Sequence, residues 1–233
     1  MEELFNGFTI EISPGAFPFS TDSVVLSGFA RLPKNAKVLD LGSGCGTLGV
    51  LLCARDPHCQ VTGIEIDPTA HETALKNAAA NAIEDRLSSI CTDLTAVSSF
   101  IAPGSFDCCI SNPPYFSSGF RSKTAALTRH ESTCNLEDVF SAAAWSLKYS
   151  GDFFLVHKPE RLAELFAAGA THKLEPKRML LLRHRPDAAV SLVVLQFKKS
   201  AKPGLIWEEA ILHDTDGQPS KYYRELYHLE EVT

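Results

Sequence analysis

From Lys37 to Ala168 the chain alternates short apolar runs with helix-patterned segments. Lys37–Leu41, Gln60–Ile66, Leu87–Thr92, Phe106–Ser111 and Gly151–His157 read as strands. Thr47–Arg55, Pro68–Asn81, Leu136–Leu147 and Pro159–Ala168 read as helices between or after them, with Pro68 suited to a first helical turn. A helix between two strands returns the chain to the starting edge, so the strands run parallel and both sheet faces are covered. The rhythm then changes. Arg178–Arg183 and Ser191–Phe197 flank His184-Arg185-Pro186-Asp187, the signature of a hairpin, and Leu205–Leu212 is a further strand candidate. Ahead of the alternation, Phe8–Ile12 has the period of a half-buried strand, and Ser20-Thr21-Asp22 is placed to cap a helix running to Ala30. These readings predict one α/β domain over residues 1–233. It has an N-terminal extension (1–36), a βα core (37–173), and an antiparallel edge with a tail (174–233).

Composition narrows the class. A chain of 233 residues with 45% hydrophobic content buries one full core. Met1-Glu2-Glu3-Leu4 has no basic, then apolar, character, so it is not read as a signal peptide. No run approaches the ~18 apolar residues of a membrane span. The seven cysteines are odd in number and form no C-x-x-C pair, which points to a reducing cytoplasm. The eight histidines show no metal-ligand spacing, so no metal is expected. Nothing in the sequence calls for an obligate protein partner. The net charge of −6 opposes a polyanionic partner, but its distribution does not: residues 158–202 hold ten Lys/Arg against four acids. That band, with Lys198 and Lys199 near its end, is either a phosphate-tracking surface or a solvated face.

The first βα turn reads Asp40-Leu41-Gly42-Ser43-Gly44-Cys45-Gly46-Thr47. Glycines at such a turn let the backbone bend sharply and let a ligand approach the main chain. A dinucleotide fingerprint would be G-x-G-x-x-G with a pyrophosphate on the helix N-terminus. Here the spacing is G-x-G-x-G, and Asp40 stands two residues before Gly42. A carboxylate there repels a pyrophosphate and attracts a cationic amine. S-Adenosylmethionine carries an ammonium and a sulfonium and fits the loop better. Glu65 ends the second strand, where an acid commonly grips ribose hydroxyls. Asp93 ends the third and suits an adenine amine, with Ile66 and Leu94 as walls for the ring faces.

The fourth strand ends at Asn112-Pro113-Pro114-Tyr115. Two prolines without N–H groups stop a sheet ladder. An amide (Asn112), the Pro113 and Pro114 carbonyls and a flat ring (Tyr115) then converge at one strand end. That set suits a planar amine held through its N–H donors; the plainer alternative is an Asn-Pro turn closing a strand. Together with Asp40, the glycines, Glu65 and Asp93, it lies at the strand ends where open α/β sheets bind ligands.

With these residues the chain resembles class I S-adenosylmethionine-dependent methyltransferases, whose fold is a Rossmann-like, seven-stranded, mostly parallel sheet with helices on both faces and an antiparallel C-terminal edge. More narrowly it is similar to the bacterial tRNA1(Val) adenine N6-methyltransferases. The likeness rests on Phe19–Ala30, Ser111–Phe116 with Gly119, Arg129-His130-Glu131, His213–Gly217 and the tyrosines 222, 223 and 227. The resemblance implies a tRNA substrate, with transfer to the adenosine beside a valine anticodon, and it implies that Thr21 and Asp22 line the cofactor pocket. Asn112 and Pro113 would then hold the amine while Tyr115 stacks on the base. Phe116 is either a second wall or a core residue. Arg121 and Lys123 sit in a loop (117–134) expected to close over RNA, or to be a plain surface loop.

Overall fold

The computed structural model describes residues 2–114 and 135–229. Two short strands, β1 (Glu2–Glu3) and β2 (Thr9–Ile10), pair antiparallel, and helix α1 (Thr21–Phe29) follows. The alternating part runs β3 (Lys37–Leu41), α2 (Thr47–Arg55), β4 (Gln60–Glu65), α3 (Pro68–Ala80), β5 (Leu87–Cys91), β6 (Phe106–Ser111), α4 (Leu136–Ser146), β7 (Leu147–His157) and α5 (Leu162–Thr171). Then come β8 (Leu174–Arg183), β9 (Val190–Lys199), β10 (Ile206–Ile211) and α6 (Lys221–Leu226).

Strands β3 to β10 form one eight-stranded sheet in the order β10-β8-β9-β7-β6-β3-β4-β5. All neighbours are parallel except β9, which runs against both β7 and β8. The eighth strand is Ile206–Ile211, which closes the sheet parallel to β8. The antiparallel strand therefore lies inside the C-terminal region, and the last strand restores the common direction.

Local chemistry explains where elements begin and end. Asp67 caps α3 by accepting from the N–H groups of Thr69 and Ala70, with Pro68 in the first turn. Asn135 and Asp138 form a reciprocal capping box on α4. At α1 the expected side-chain cap is not made: Ser20 occupies the N-cap position without a side-chain bond to the helix. Burial of Val24, Val25 and Leu26 holds that helix instead. β8 starts four residues before the expected Arg178, and its register shifts between Pro176 and Arg178, as a strand must where a proline lacks its N–H. α5 runs on through Gly169, where a methyl group would lie 2.7 Å from Phe197 Cε1, so the glycine marks close helix–sheet packing and not a helix end.

Alternate residues of each strand feed opposite faces. Phe154, Val156 and Val194 join the core beneath α1 and α2, whereas Phe153, Leu155 and Phe197 join the core beneath α4 and α5. On the second face Phe140 meets Phe153 and Phe197 edge-on, each at 5.2 Å between centroids. From β3 the chain builds outward through β4 to β5, and then β6 adds on the other side of β3. The sheet's switch point is therefore between β3 and β6, and the ligand crevice of such sheets opens at the strand ends there.

Candidate active site

Asp40 and Asn112 stand at the ends of β3 and β6, on either side of that switch point. The two strand ends are locked together by Ser111, whose hydroxyl donates to the Leu41 carbonyl at 2.7 Å. Between β3 and α2, Gly42, Gly44 and Gly46 all have positive φ (75°, 55° and 79°), a region that favours glycine. A methyl group on Gly42 or Gly44 would meet nothing within 4 Å, so open space borders the loop. Gly49, one more glycine than the loop pattern needs, lies inside α2, where a side chain would sit 2.5 Å from Leu87 Cδ1.

Glu65, at the end of β4, ties the loop down. One carboxylate oxygen accepts from Gly44 N–H at 2.7 Å and the other from Asp67 N–H at 2.8 Å. Each oxygen retains a second lone pair, so ligand hydroxyls can still be bound. Asp40 is buried with neither carboxylate oxygen hydrogen-bonded. Burial, and secondarily the charge of Glu65, push its carboxyl up to about 8. A buried, unsatisfied acid of this kind is costly. A cationic amine seated at the loop would satisfy it, so the donor set fits an amino-acid ammonium. Asp93 spends Oδ1 on the N–H and hydroxyl of Thr95, capping a 3-10 turn over Leu94–Ser99. Ile66 is 36% exposed and Leu94 is half-buried, so the two expected ring walls are not packed away.

Asn112 is positioned from an unexpected direction. Its Nδ2 donates to Ser23 Oγ, 3.0 Å away on the first turn of α1. With Nδ2 committed to Ser23, Oδ1 is the acceptor end of the amide. Pro113 is buried and Pro114 half-buried. Thr21 and Asp22 lie on the same first turn as Ser23, and Thr21 Oγ1 accepts from the Tyr227 hydroxyl at 3.3 Å. The segment before α1 is fixed at the glycine loop: Ser13 N and Oγ both contact Cys45 Sγ. Asn77 of α3 donates to the Glu11 and Cys45 carbonyls and accepts from Glu11 N–H, while Asn81 pairs likewise with Thr9.

Not every expected residue is brought here. Tyr115, Phe116, Arg121 and Lys123, and the expected loop closure, lie outside the described residues. Lys198 and Lys199 do not reach the crevice. Lys198 pairs with Asp152, midway along β7 and level with Cys108 of β6, below the strand ends that form the crevice. Its Nζ also donates to the Ser150 carbonyl, and Lys199 Nζ donates to the carbonyls of Ala144 and Leu147 at the end of α4. Their charges serve internal contacts and a helix C-terminus, which attracts cations. Elsewhere in the basic band Arg178 pairs with Glu208, Arg183 with Glu209 and Arg161 with Glu164.

Sequence reasoning missed Ser23, Asn77 and Tyr227. Asn77 and Asn81 gave a usable signal: two amides one turn apart in an alanine-rich helix have low helical propensity and imply outside partners. Ser23 and Tyr227 lie in segments that carry the resemblance, but no local pattern joins them to partners 89 and 206 residues away.

The family model for the methyltransferase small domain matches residues 21–167. The tRNA1(Val) (adenine(37)-N6)-methyltransferase of Porphyromonas gingivalis is 33% identical over 204 residues, covering 83% of this chain and 79% of that protein. The enzyme of the same name from Aeromonas hydrophila is 28% identical, covering 95% and 93%. Among solved structures, a predicted O-methyltransferase from Agrobacterium tumefaciens superposes with a TM-score of 0.75 at 21% identity, covering 89% of this chain and 96% of that one. Geranyl diphosphate C-methyltransferase from Streptomyces coelicolor, solved with S-adenosyl-L-homocysteine, shares the fold at a TM-score of 0.58 and 14% identity, covering 76% and 79%.

Proposed function

This chain belongs to the methyltransferase small-domain family, and on that premise we propose that it methylates the exocyclic N6 amine of an adenine in tRNA, the adenosine beside the anticodon of a valine tRNA. The observation that carries the reading is Asn112 at the switch point, its Nδ2 held by Ser23 and its Oδ1 left as the acceptor end. The names of the relatives supply the substrate.

S-Adenosylmethionine, when bound, supplies an electrophilic methyl group on a sulfonium. The chain's own residues do the rest by holding and orienting. Asp40 would meet the cofactor's ammonium, the glycine loop would admit its close approach, and Glu65 and Asp93 would be the acids for ribose and adenine. The target amine is a weak nucleophile because its lone pair is delocalised into the base. Asn112 Oδ1 and the Pro113 carbonyl each accept one of its N–H groups, drawing the nitrogen toward tetrahedral geometry. No strong base is required, since the nitrogen sheds its proton after transfer, and positioning supplies most of the rate. Tyr115 stacks on the base in this reading, worth ~1–3 kcal/mol, with Phe116, Arg121 and Lys123 on the RNA side. An anticodon-loop base is already partly unstacked, which lowers the cost of drawing it out. A tRNA substrate puts this work in the cytoplasm.

The test combines labelled S-adenosylmethionine with purified protein and total bacterial tRNA, followed by nucleoside analysis. N6-methyladenosine in one valine tRNA is the expected result. Label found only in protein would replace the reading with glutamine methylation. Asn112→Ala should keep cofactor binding and lose roughly 100-fold or more in turnover.

A further inference from the structure

Four rings run in sequence along the crevice end of the molecule. His184 follows β8 directly and His213 follows β10, and Tyr223 and Tyr227 belong to α6 and its end. β8 and β10 point the same way as β6 and β3, so both histidines lie on the side where Asn112 lies. The centroid steps are 5.6 Å from His184 to His213, 5.2 Å from His213 to Tyr223, and 4.4 Å from Tyr223 to Tyr227. The last pair is stacked at 19°, and the others are tilted near 40°. The Tyr227 hydroxyl then touches Thr21, two residues before the Ser23 that holds Asn112. In sheet order His184 stands three strands from β6 and His213 four, and the row returns to the first turn of α1 through Tyr227. Its outer end, His184, is exposed, and its other three rings are partly exposed.

We propose that this strip is a stacking surface for the single-stranded RNA that flanks the target adenine, with His184 as the outermost contact. The inference rests on the tRNA reading above and adds the path of the RNA. Three observations favour RNA as the occupant. The strip is continuous with the crevice through Thr21. The inner rings stack on one another and back an exposed terminal ring, His184, which suits a nucleobase of any sequence. Arg185, beside His184 and 60% exposed, is held only loosely by the exposed Asp187 at 3.9 Å and suits a phosphate backbone, whereas Arg183 is engaged by Glu209.

The test uses the full chain and an anticodon stem-loop RNA bearing the target adenine. His184 is exposed and can be changed without opening the core. His184→Leu should weaken RNA binding by about 5- to 160-fold, the range typical of losing one base–aromatic stack. It should raise KM for RNA while leaving kcat at saturating RNA and cofactor affinity unchanged. His184→Phe, which keeps a flat ring, should bind as the parent does. Tyr223→Leu provides a second loss within the strip. If both His184 variants and Tyr223→Leu bind RNA like the parent, the strip is not on the RNA path. If His184→Phe fails as badly as His184→Leu, the contact is not stacking. Either result overturns this inference while leaving the proposed reaction intact. Absence of tRNA methylation by the unaltered protein would remove the reaction itself.

Discussion

Asp40 lies buried in the turn it helps define, and its environment sets a proton balance for the whole site. In the ligand-free protein its carboxyl is raised from 3.8 to about 8, by burial first and then by Glu65. The folded chain therefore keeps a proton that the unfolded chain gives up between those values. The stability tied to that proton is complete below the lower value and is lost as pH rises through the upper one. The unfolding midpoint of ligand-free protein should accordingly fall between about pH 6.5 and pH 8, and Asp40→Asn should flatten that slope. An ammonium facing the carboxylate reverses the preference, so cofactor binding near pH 7 should release about one proton. Calorimetry in two buffers of different ionisation enthalpy reads that proton; identical heats in both would refute the assignment. The position of Asp40 beside the glycine loop was legible from its place before Gly42. Its protonation was not, because burial and the approach of Glu65 arise only when β3 and β4 pair. The place of Asn112 at a strand end was legible in the same way, whereas its bond to Ser23 was not, since no local pattern links residues on separate elements.

Among the elements, α1 connects most of what the site needs. Its first turn carries Thr21, Asp22 and Ser23, and its later turns are gripped by the tail and by α2. Arg55, at the end of α2, donates to Ser27 Oγ at 3.0 Å and to the Leu226 carbonyl at 2.7 Å, and its guanidinium lies 4.5 Å over the Phe5 ring. Arg178 of β8 lies 4.2 Å over the ring of Phe29. Gly28 faces Leu226 so closely that an added methyl group would lie 2.5 Å from Leu226 Cδ1. This contact makes a specific expectation. Leu226→Ala should cost about 2–5 kcal/mol in denaturant unfolding, as large-to-small core changes do. Adding Gly28→Ala to that variant should recover about 1 kcal/mol, because the new methyl enters the vacated space and alanine favours helix over glycine. If Gly28→Ala is equally harmful with and without Leu226, the two do not meet as described. The period of the sequence predicted most helices and strands well, with β3 and α2 matching at both ends. It gave no sign of α6, a six-residue helix whose existence depends on α1 and the Ser220 cap.

At the scale of the molecule, the charge distribution reads differently once folded. The sequence places the charges of the basic band, residues 158–202, together, which leaves it either a phosphate-tracking surface or a solvated face. The sheet disperses them and supplies carboxylates from elsewhere: Asp152 for Lys198, Glu208 for Arg178 and Glu209 for Arg183. Charge reversal at Lys198 and Lys199 should therefore lower the unfolding midpoint, by breaking the Asp152 pair and placing acid at the C-terminus of α4. It should leave the salt dependence of RNA binding unchanged. A slope flattened by ~0.7 per lost phosphate contact would return those lysines to the RNA surface. The parallel sheet followed from strand–helix alternation alone, whereas its strand order and switch point did not. The eighth strand's place and the insertion of β9 did not, because pairing partners distant in sequence are chosen by burial of whole faces and not by local period.

The hydroxyl bond between Thr21 and Tyr227 spans 206 residues of chain. During synthesis at ~5–20 residues per second, α1 emerges roughly 10–40 seconds before α6 can reach it. Until then Arg55 lacks the Leu226 carbonyl and the first turn of α1 lacks its clasp. Completion of the pocket is thereby deferred until residues 221–227 are made, and a nascent chain that has already formed its glycine loop still waits for that segment to clasp α1.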